Sequence, residues 1–235
     1  MSPSAINTVT SALSSSTTQT STAQTPALFS LAGKTIAITG GGRGLGITLA
    51  FAVVEAGGHA ACLDILPEPS NTEWQGLTKL ANQLGTTATY RRCDVTSEAE
   101  VTQVLDEISR EGDEQGAPLN GMVACAGIQQ RVPALEYEAS DFERMLRVNV
   151  VGAFISVKRA ARILKDKGTG GSIVLIASMS GQVANRVCIF TPEENSVNLT
   201  IHFRVLPAQH TTPANQLYIK CVARWRKSGA NMAFG

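Results

Sequence analysis

From Leu31 onward, short apolar runs alternate with longer stretches whose apolar residues recur every three or four positions. That rhythm predicts strands alternating with helices, and hence an α/β chain with a mainly parallel sheet. Thr35-Ile-Ala-Ile-Thr39 reads as a buried strand, and Gly44 to Gly57 carries a helical stripe of Leu45, Leu49, Val53 and Val54. A strand over 60–65, a helix near 73–84 and a strand over 87–95 follow. Ser97 with Glu100 makes a capping box opening a helix to about Glu111, and Ser140 with Glu143 opens another to about Lys165. Between those helices 121–125 is a strand, and 172–177 is the fifth.

The rhythm is confined to 31–186. Residues 1–30 are half Ser and Thr, lack apolar periodicity and read as a disordered leader. Residues 187–235 form an aberrant tail: no acid follows Glu194, five bases (Arg204, Lys220, Arg224, Arg226, Lys227) remain, and Pro207 and Pro213 interrupt it.

Composition narrows the function classes. A length of 235 residues at 43% hydrophobic and 17% charged fits one globular domain. Twenty basic against nineteen acidic residues leave a net charge of +1, too little field to hold a phosphate backbone or an anionic membrane. The expectation is therefore no nucleic-acid and no membrane partner. With no apolar run of about 18 residues, the expected address is the cytoplasm. Cys62, Cys93, Cys125, Cys188 and Cys221 contain no C-x-x-C pair, which points to reduced, mostly buried thiols rather than disulfides or a zinc site.

The candidate chemistry starts directly after the first strand. Thr39-Gly-Gly-Gly-Arg-Gly-Leu-Gly46 opens the first helix, where backbone N–H groups and the helix dipole can hold a pyrophosphate. Gly40, Gly44 and Gly46 let the backbone turn, approach phosphates and pack on the sheet, with Arg43 and Leu45 between them. Asp64 ends the second strand 24 residues after Gly40, near where an acid accepts hydrogen bonds from a ribose diol. No G-K-[ST] follows the glycines, which disfavours a P-loop nucleotidase.

With these features in order, 29–186 resembles the short-chain dehydrogenase/reductase family, with the flavour of members acting on polyols and ketoses. Thr39 to Gly46 is similar to the family's T-G-x-x-x-G-x-G loop, and Asp94-Val95 to its adenine-contacting D-V pair. Ala126 and Gly127 match the end of its N-N-A-G, whereas Ala124 and Cys125 stand where the family has asparagines. Cys125 therefore reads as packing rather than as a nucleophile. Asn149 matches the helical asparagine whose backbone carbonyl holds a relay water. Ser178 falls at the family's catalytic serine, which hydrogen-bonds the substrate carbonyl, with Ser180 as a competing loop hydroxyl.

The resemblance implies a Rossmann-type doubly wound parallel sheet, truncated after the fifth strand. It also implies hydride transfer between a nicotinamide and a small alcohol or carbonyl substrate, and usually a homo-oligomer. Asp64 would repel a 2′-phosphate and favours NAD. Arg43, at a position where NADP-preferring members often carry a base, keeps NADP open; a solvated loop residue is its plain alternative.

One family element is missing. The family's proton donor is a tyrosine four residues before a lysine, after the serine; here Tyr218 precedes Lys220 by two, a spacing that cannot share one helix face. The codons permitted for 187–204 explain the gap as a retained intron. Val187-Cys188 can carry a donor-like GTATGT, Asn198 to Thr200 a branch-like CTAAC, and Arg204 an acceptor AG. Removing about 53 nucleotides would shift the frame, and 208–216 can then spell Ala-Tyr-Asn-Thr-Ser-Lys. Without the covering helix and further strands, 173–176 are expected to form an exposed apolar edge that invites aggregation. The expectations are a catalytically defective chain or, alternatively, a non-catalytic nucleotide-binding or interaction protein with a basic tail.

Overall fold

The computed structural model describes residues 29–130, 132, 136–168 and 170–178. The leader up to residue 28, Ser180, Cys188, Cys221, Tyr218, Lys220 and the whole tail lie outside the described residues.

Five strands, β1 (Thr35–Thr39), β2 (His59–Asp64), β3 (Ala88–Arg92), β4 (Leu119–Ala124) and β5 (Ser172–Leu175), form one parallel sheet in the order β3-β2-β1-β4-β5. The helices between them are α1 (Gly44–Glu55), α2 (Asn71–Leu84), α3 (Glu98–Glu114), α4 (Ala139–Leu146) and α5 (Ala153–Lys167). The Rossmann-type doubly wound sheet expected from the resemblance is therefore present. Strands 1 to 3 step one way from the centre and strands 4 and 5 step the other. The switch between β1 and β4 leaves a crevice at the strands' carboxyl ends, where doubly wound sheets take ligands.

The central strands β1, β2 and β4 are mostly apolar and buried, as parallel strands under helices must be, whereas β3 and β5 at the edges are half-buried or exposed. On one face Ala37, Leu63, Leu119 and Met122 pack with Val101, Leu105 and Ile108 of α3 and Ile155 and Ile163 of α5. On the other Ile36, Ile38 and Cys62 pack with Ile47, Ala50 and Val54 of α1 and Leu77 and Ala81 of α2. Among the described residues β5 forms one edge of the sheet. Val174 is 46% and Ile176 41% exposed, whereas Ile173 packs against the core.

Three local expectations are corrected. The stripe of α1 does not include Leu45, which is 54% exposed; the buried face is Gly46, Ile47, Ala50, Val53 and Val54 instead. Ser140 and Glu143 form no cap: α4 begins at Ala139 behind Glu138, which makes no side-chain cap bond. The helix expected to run to Lys165 is also not uniform, since 147–152 is a π-helical turn between α4 and α5. The Ser97 box forms by half. Ser97 Oγ accepts from Glu100 N at 3.3 Å, but Glu100 Oε2 accepts from Asp94 N at 3.0 Å rather than from Ser97.

Candidate active site

Four loops converge at the carboxyl edge. The loop from β1 into α1 is set by Gly40, whose φ of +69° and close approach to the chain after β4 both require glycine; a Cβ there would lie 2.9 Å from Ala126 N and Cα. A Cβ at Gly46 would lie 2.0 Å from Gly40 O, so the start of α1 sits directly on the turn. Gly44 (φ +57°) faces open space. Arg43 precedes α1 without a side-chain cap bond, and no acid lies in the first turn. The first amides of α1 thus stand at an open glycine cradle, where a diphosphate fits.

The buried Thr39, 2% exposed, ties this loop across the switch point. Its Oγ1 accepts from Cys125 N at 3.1 Å and from Ala126 N at 3.2 Å. In the sequence Thr39 is only a letter of the glycine motif; its role depends on a contact 86 residues away in the chain, which no local pattern carries.

Asp64, at the end of β2, meets the glycine loop. Its Oδ2 accepts from Gly42 N at 3.0 Å and its Oδ1 from Leu66 N at 3.3 Å. Cys62 lies beneath, and burial, followed by the Asp64 charge, pushes its thiol from 9.0 up to about 12. Burial also raises the Cys93 thiol to about 11, with Glu100 and Asp94 adding and Arg92 opposing. It raises the Cys125 thiol as well. A protonated Cys125 is a poor nucleophile, in keeping with a packing role.

Asp94 and Val95 follow β3. Asp94 Oδ1 accepts from Thr96 N and Oγ1, both at 2.8 Å, and Val95 packs where a Cβ on Gly152 would come within 2.7 Å of it. Arg147 donates to Thr96 O at 2.8 Å, so the π turn is fastened to the loop after β3. Asn149 fastens the same turn to the loop after β4: Ile128 N donates to its Oδ1 at 2.8 Å, and its Nδ2 donates to Ile128 O at 2.9 Å. Gly127 lies beside it, leaving 3.4 Å for a Cβ against Asn149 Oδ1. A π turn at such a position is typical of functional sites, because it redirects backbone carbonyls. Ser178 is exposed, three residues beyond β5.

The structure thus brings Gly40 to Ala126 by close backbone approach, Asn149 to the loop of Gly127 and Ile128 by its side-chain amide, and Asp64 to the glycine loop through Gly42. Asp94 and Val95 join through the π turn. Ser178 lies on the carboxyl side of the sheet, beyond β5. No group of three or more His, Cys, Asp or Glu that could hold a metal occurs among the described residues. No helix among them is long and apolar enough to cross a membrane.

A family model described as short chain dehydrogenase matches residues 34–189. A short chain dehydrogenase/reductase named notP' from Aspergillus versicolor is 37% identical over 175 residues, covering 74% of this chain and 59% of that protein. A short-chain type dehydrogenase/reductase from Mycobacterium marinum superposes with a TM-score of 0.61 at 33% identity, over 70% of this chain and 63% of that one. NAD+-bound xylitol dehydrogenase superposes with a TM-score of 0.58 at 29% identity, over 67% and 58%. The chain spans less than two-thirds of the length of the curated relatives it matches.

Proposed function

The chain belongs to the short-chain dehydrogenase/reductase family, and from that premise we propose that 31–186 is the dinucleotide-binding part of an oxidoreductase. It exchanges a hydride between a nicotinamide and a small alcohol or carbonyl compound of the polyol or ketose class. The observation that carries this reading is the open glycine cradle at the uncapped start of α1, with the Asp64 carboxylate held beside it. NAD is the cofactor and NADP the second choice, because Asp64 favours a free ribose diol over a 2′-phosphate.

In this reading Gly40, Gly44, Gly46 and the backbone of Arg43 and Leu45 hold the pyrophosphate, and Asp64 accepts from the ribose. Asp94 and Val95 border the adenine, and Ala126 and Gly127 line the crevice. When bound, the dinucleotide supplies the hydride acceptor or donor. Ser178 donates a hydrogen bond to the substrate oxygen as charge develops on it. The Asn149 side chain is spent on Ile128, so its contribution is to hold the π turn, whose backbone carbonyl orders a water.

A tyrosine with a lysine four residues on is absent from this sequence, so the chain as written binds dinucleotide without turning over substrate. Two measurements test this. NADH titration of the full chain should give saturable binding, and xylitol oxidation with NAD should stay at background. Sequencing the transcript across the codons for 180–225 should find a spliced form that restores Ala-Tyr-Asn-Thr-Ser-Lys; unspliced RNA alone would refute the retained-intron explanation. The missing pair also favours a second reading, a non-catalytic nucleotide-binding or interaction protein with a basic tail. That reading gains if binding persists and no spliced form exists.

A further inference from the structure

We propose that Gly42 is a positioning residue, which sets the Asp64 carboxylate and thereby the discrimination between a free ribose 2′-hydroxyl and a 2′-phosphate. The inference rests on the dinucleotide reading above. Gly42 stands at a variable letter of the T-G-x-x-x-G-x-G pattern, so the pattern itself does not demand glycine there. Three contacts do. Its N–H donates to Asp64 Oδ2 at 3.0 Å, its carbonyl accepts from Ser70 N at 2.8 Å, and a Cβ built on it would lie 3.0 Å from Asp64 Oδ2 and 3.1 Å from Asp64 Cβ and Cγ.

Gly42 lacks the positive φ of Gly40 and Gly44, so its backbone conformation does not call for glycine, and the atoms nearest a Cβ there all belong to the Asp64 side chain. The bond from Ser70 pins the loop from the other side, which keeps Gly42 from retreating. With Leu66 N on Oδ1, both carboxylate oxygens are oriented by backbone amides, one from each flanking loop. Such a carboxylate keeps one direction. It presents an acceptor to a ribose hydroxyl and cannot swing aside for a phosphate, which it repels as a like charge.

Alanine at 42 obliges the Asp64 side chain to give by a few tenths of an ångström, which lengthens and misaligns the bond from Gly42 N to Oδ2. The ribose then loses its aligned acceptor and the phosphate loses part of its repulsion. Losing one hydrogen bond to a charged group corresponds to roughly a tenfold change in affinity. The test is fluorescence titration of NADH and NADPH on the full-length chain, its Gly42→Ala and Asp64→Ala variants, and the double variant. The ratio of the NADPH to the NADH Kd should fall about tenfold in Gly42→Ala, and the double variant should match Asp64→Ala alone.

A ratio within twofold of the parent overturns the inference, as do effects of the two substitutions that multiply independently. A parent chain that binds neither dinucleotide overturns the dinucleotide reading as well, a result distinct from either of those. Should Gly42→Ala alone fail to fold, the double variant decides. Removing the carboxylate makes room for the new Cβ, so restored folding supports the contact and continued unfolding refutes it.

Discussion

Thr39→Val tests the tie across the switch point. Valine keeps the shape of threonine and removes the oxygen that accepts from both Cys125 N and Ala126 N. A buried amide left without a partner costs about 1–3 kcal/mol. Both amides belong to half-buried residues that water can partly reach, so each falls at the low end and the pair costs about 2 kcal/mol. At roughly 2–4 °C per kcal/mol for a chain of this size, Tm should fall by about 4–8 °C. Thr39→Ser keeps the acceptor and loses one buried methyl, at a cost of about 1 kcal/mol. Amide hydrogen exchange separates the two causes, because only the valine variant should speed exchange at 125 and 126. A valine variant as stable as the parent, with unchanged exchange at both amides, would refute the account.

Three further outcomes are expected. Gly46→Ala should destabilise by more than about 3 kcal/mol in urea, since its Cβ would meet backbone at 2.0 Å, whereas Gly44→Ala should cost only about 1–2 kcal/mol for its left-handed φ. Asn149→Ala removes the paired bonds to Ile128 and should cost about 1 kcal/mol, with faster exchange at the Ile128 amide as its signature. Stability should also fall with alkaline pH. The folded state holds the Cys62 proton to about 12 against an ordinary 9.0, so this contribution is complete below about pH 9 and is lost as pH rises toward 12. The slope from this group reaches about 1.4 kcal/mol per pH unit. Urea midpoints at pH 8 and pH 10 should converge in Cys62→Ala relative to the parent; an unchanged difference would remove Cys62 as a cause.

The sheet was legible because it is built from local signals. Thr35–Thr39 coincides with β1 to the residue, and the remaining strands are displaced at their ends by at most three residues. What local signals did not carry was decided by contacts distant in sequence. Leu45 has the spacing of a core residue, yet the helix turns Gly46 and Ile47 inward and leaves Leu45 exposed. Ser140 and Glu143 have the spacing of a capping box, yet α4 starts one residue before the serine and leaves no cap to make. The π turn at 147–152 is invisible to periodicity, because one extra residue in the hydrogen-bond register leaves a composition that still reads as helix. At the site, the glycine spacing stood out as a backbone requirement and Asp64 as a carboxylate at a fixed offset from it. Thr39 and Gly42 did not, because their partners lie 86 and 22 residues away in the chain.

Those distant partners also bear on which of the two proposed readings fits the chain. The ties that assemble the carboxyl edge are Thr39 to Cys125 and Ala126, Gly42 to Asp64, Asn149 to Ile128 and Arg147 to Thr96. All are made between residues before 150, and among the described residues the two core clusters span 31–173. On the proposed reading the dinucleotide crevice is ordered by these ties, while the proton donor would come from the restored frame after Arg186. Binding and turnover should separate accordingly. A chain read through the spliced frame, with tyrosine and lysine four residues apart, should turn over substrate while its NADH Kd stays within about threefold of the present chain, a difference of roughly 0.7 kcal/mol. If NADH affinity instead rises a hundredfold with the restored frame, the crevice is not complete before Arg186, and the tail must be counted as part of the binding site.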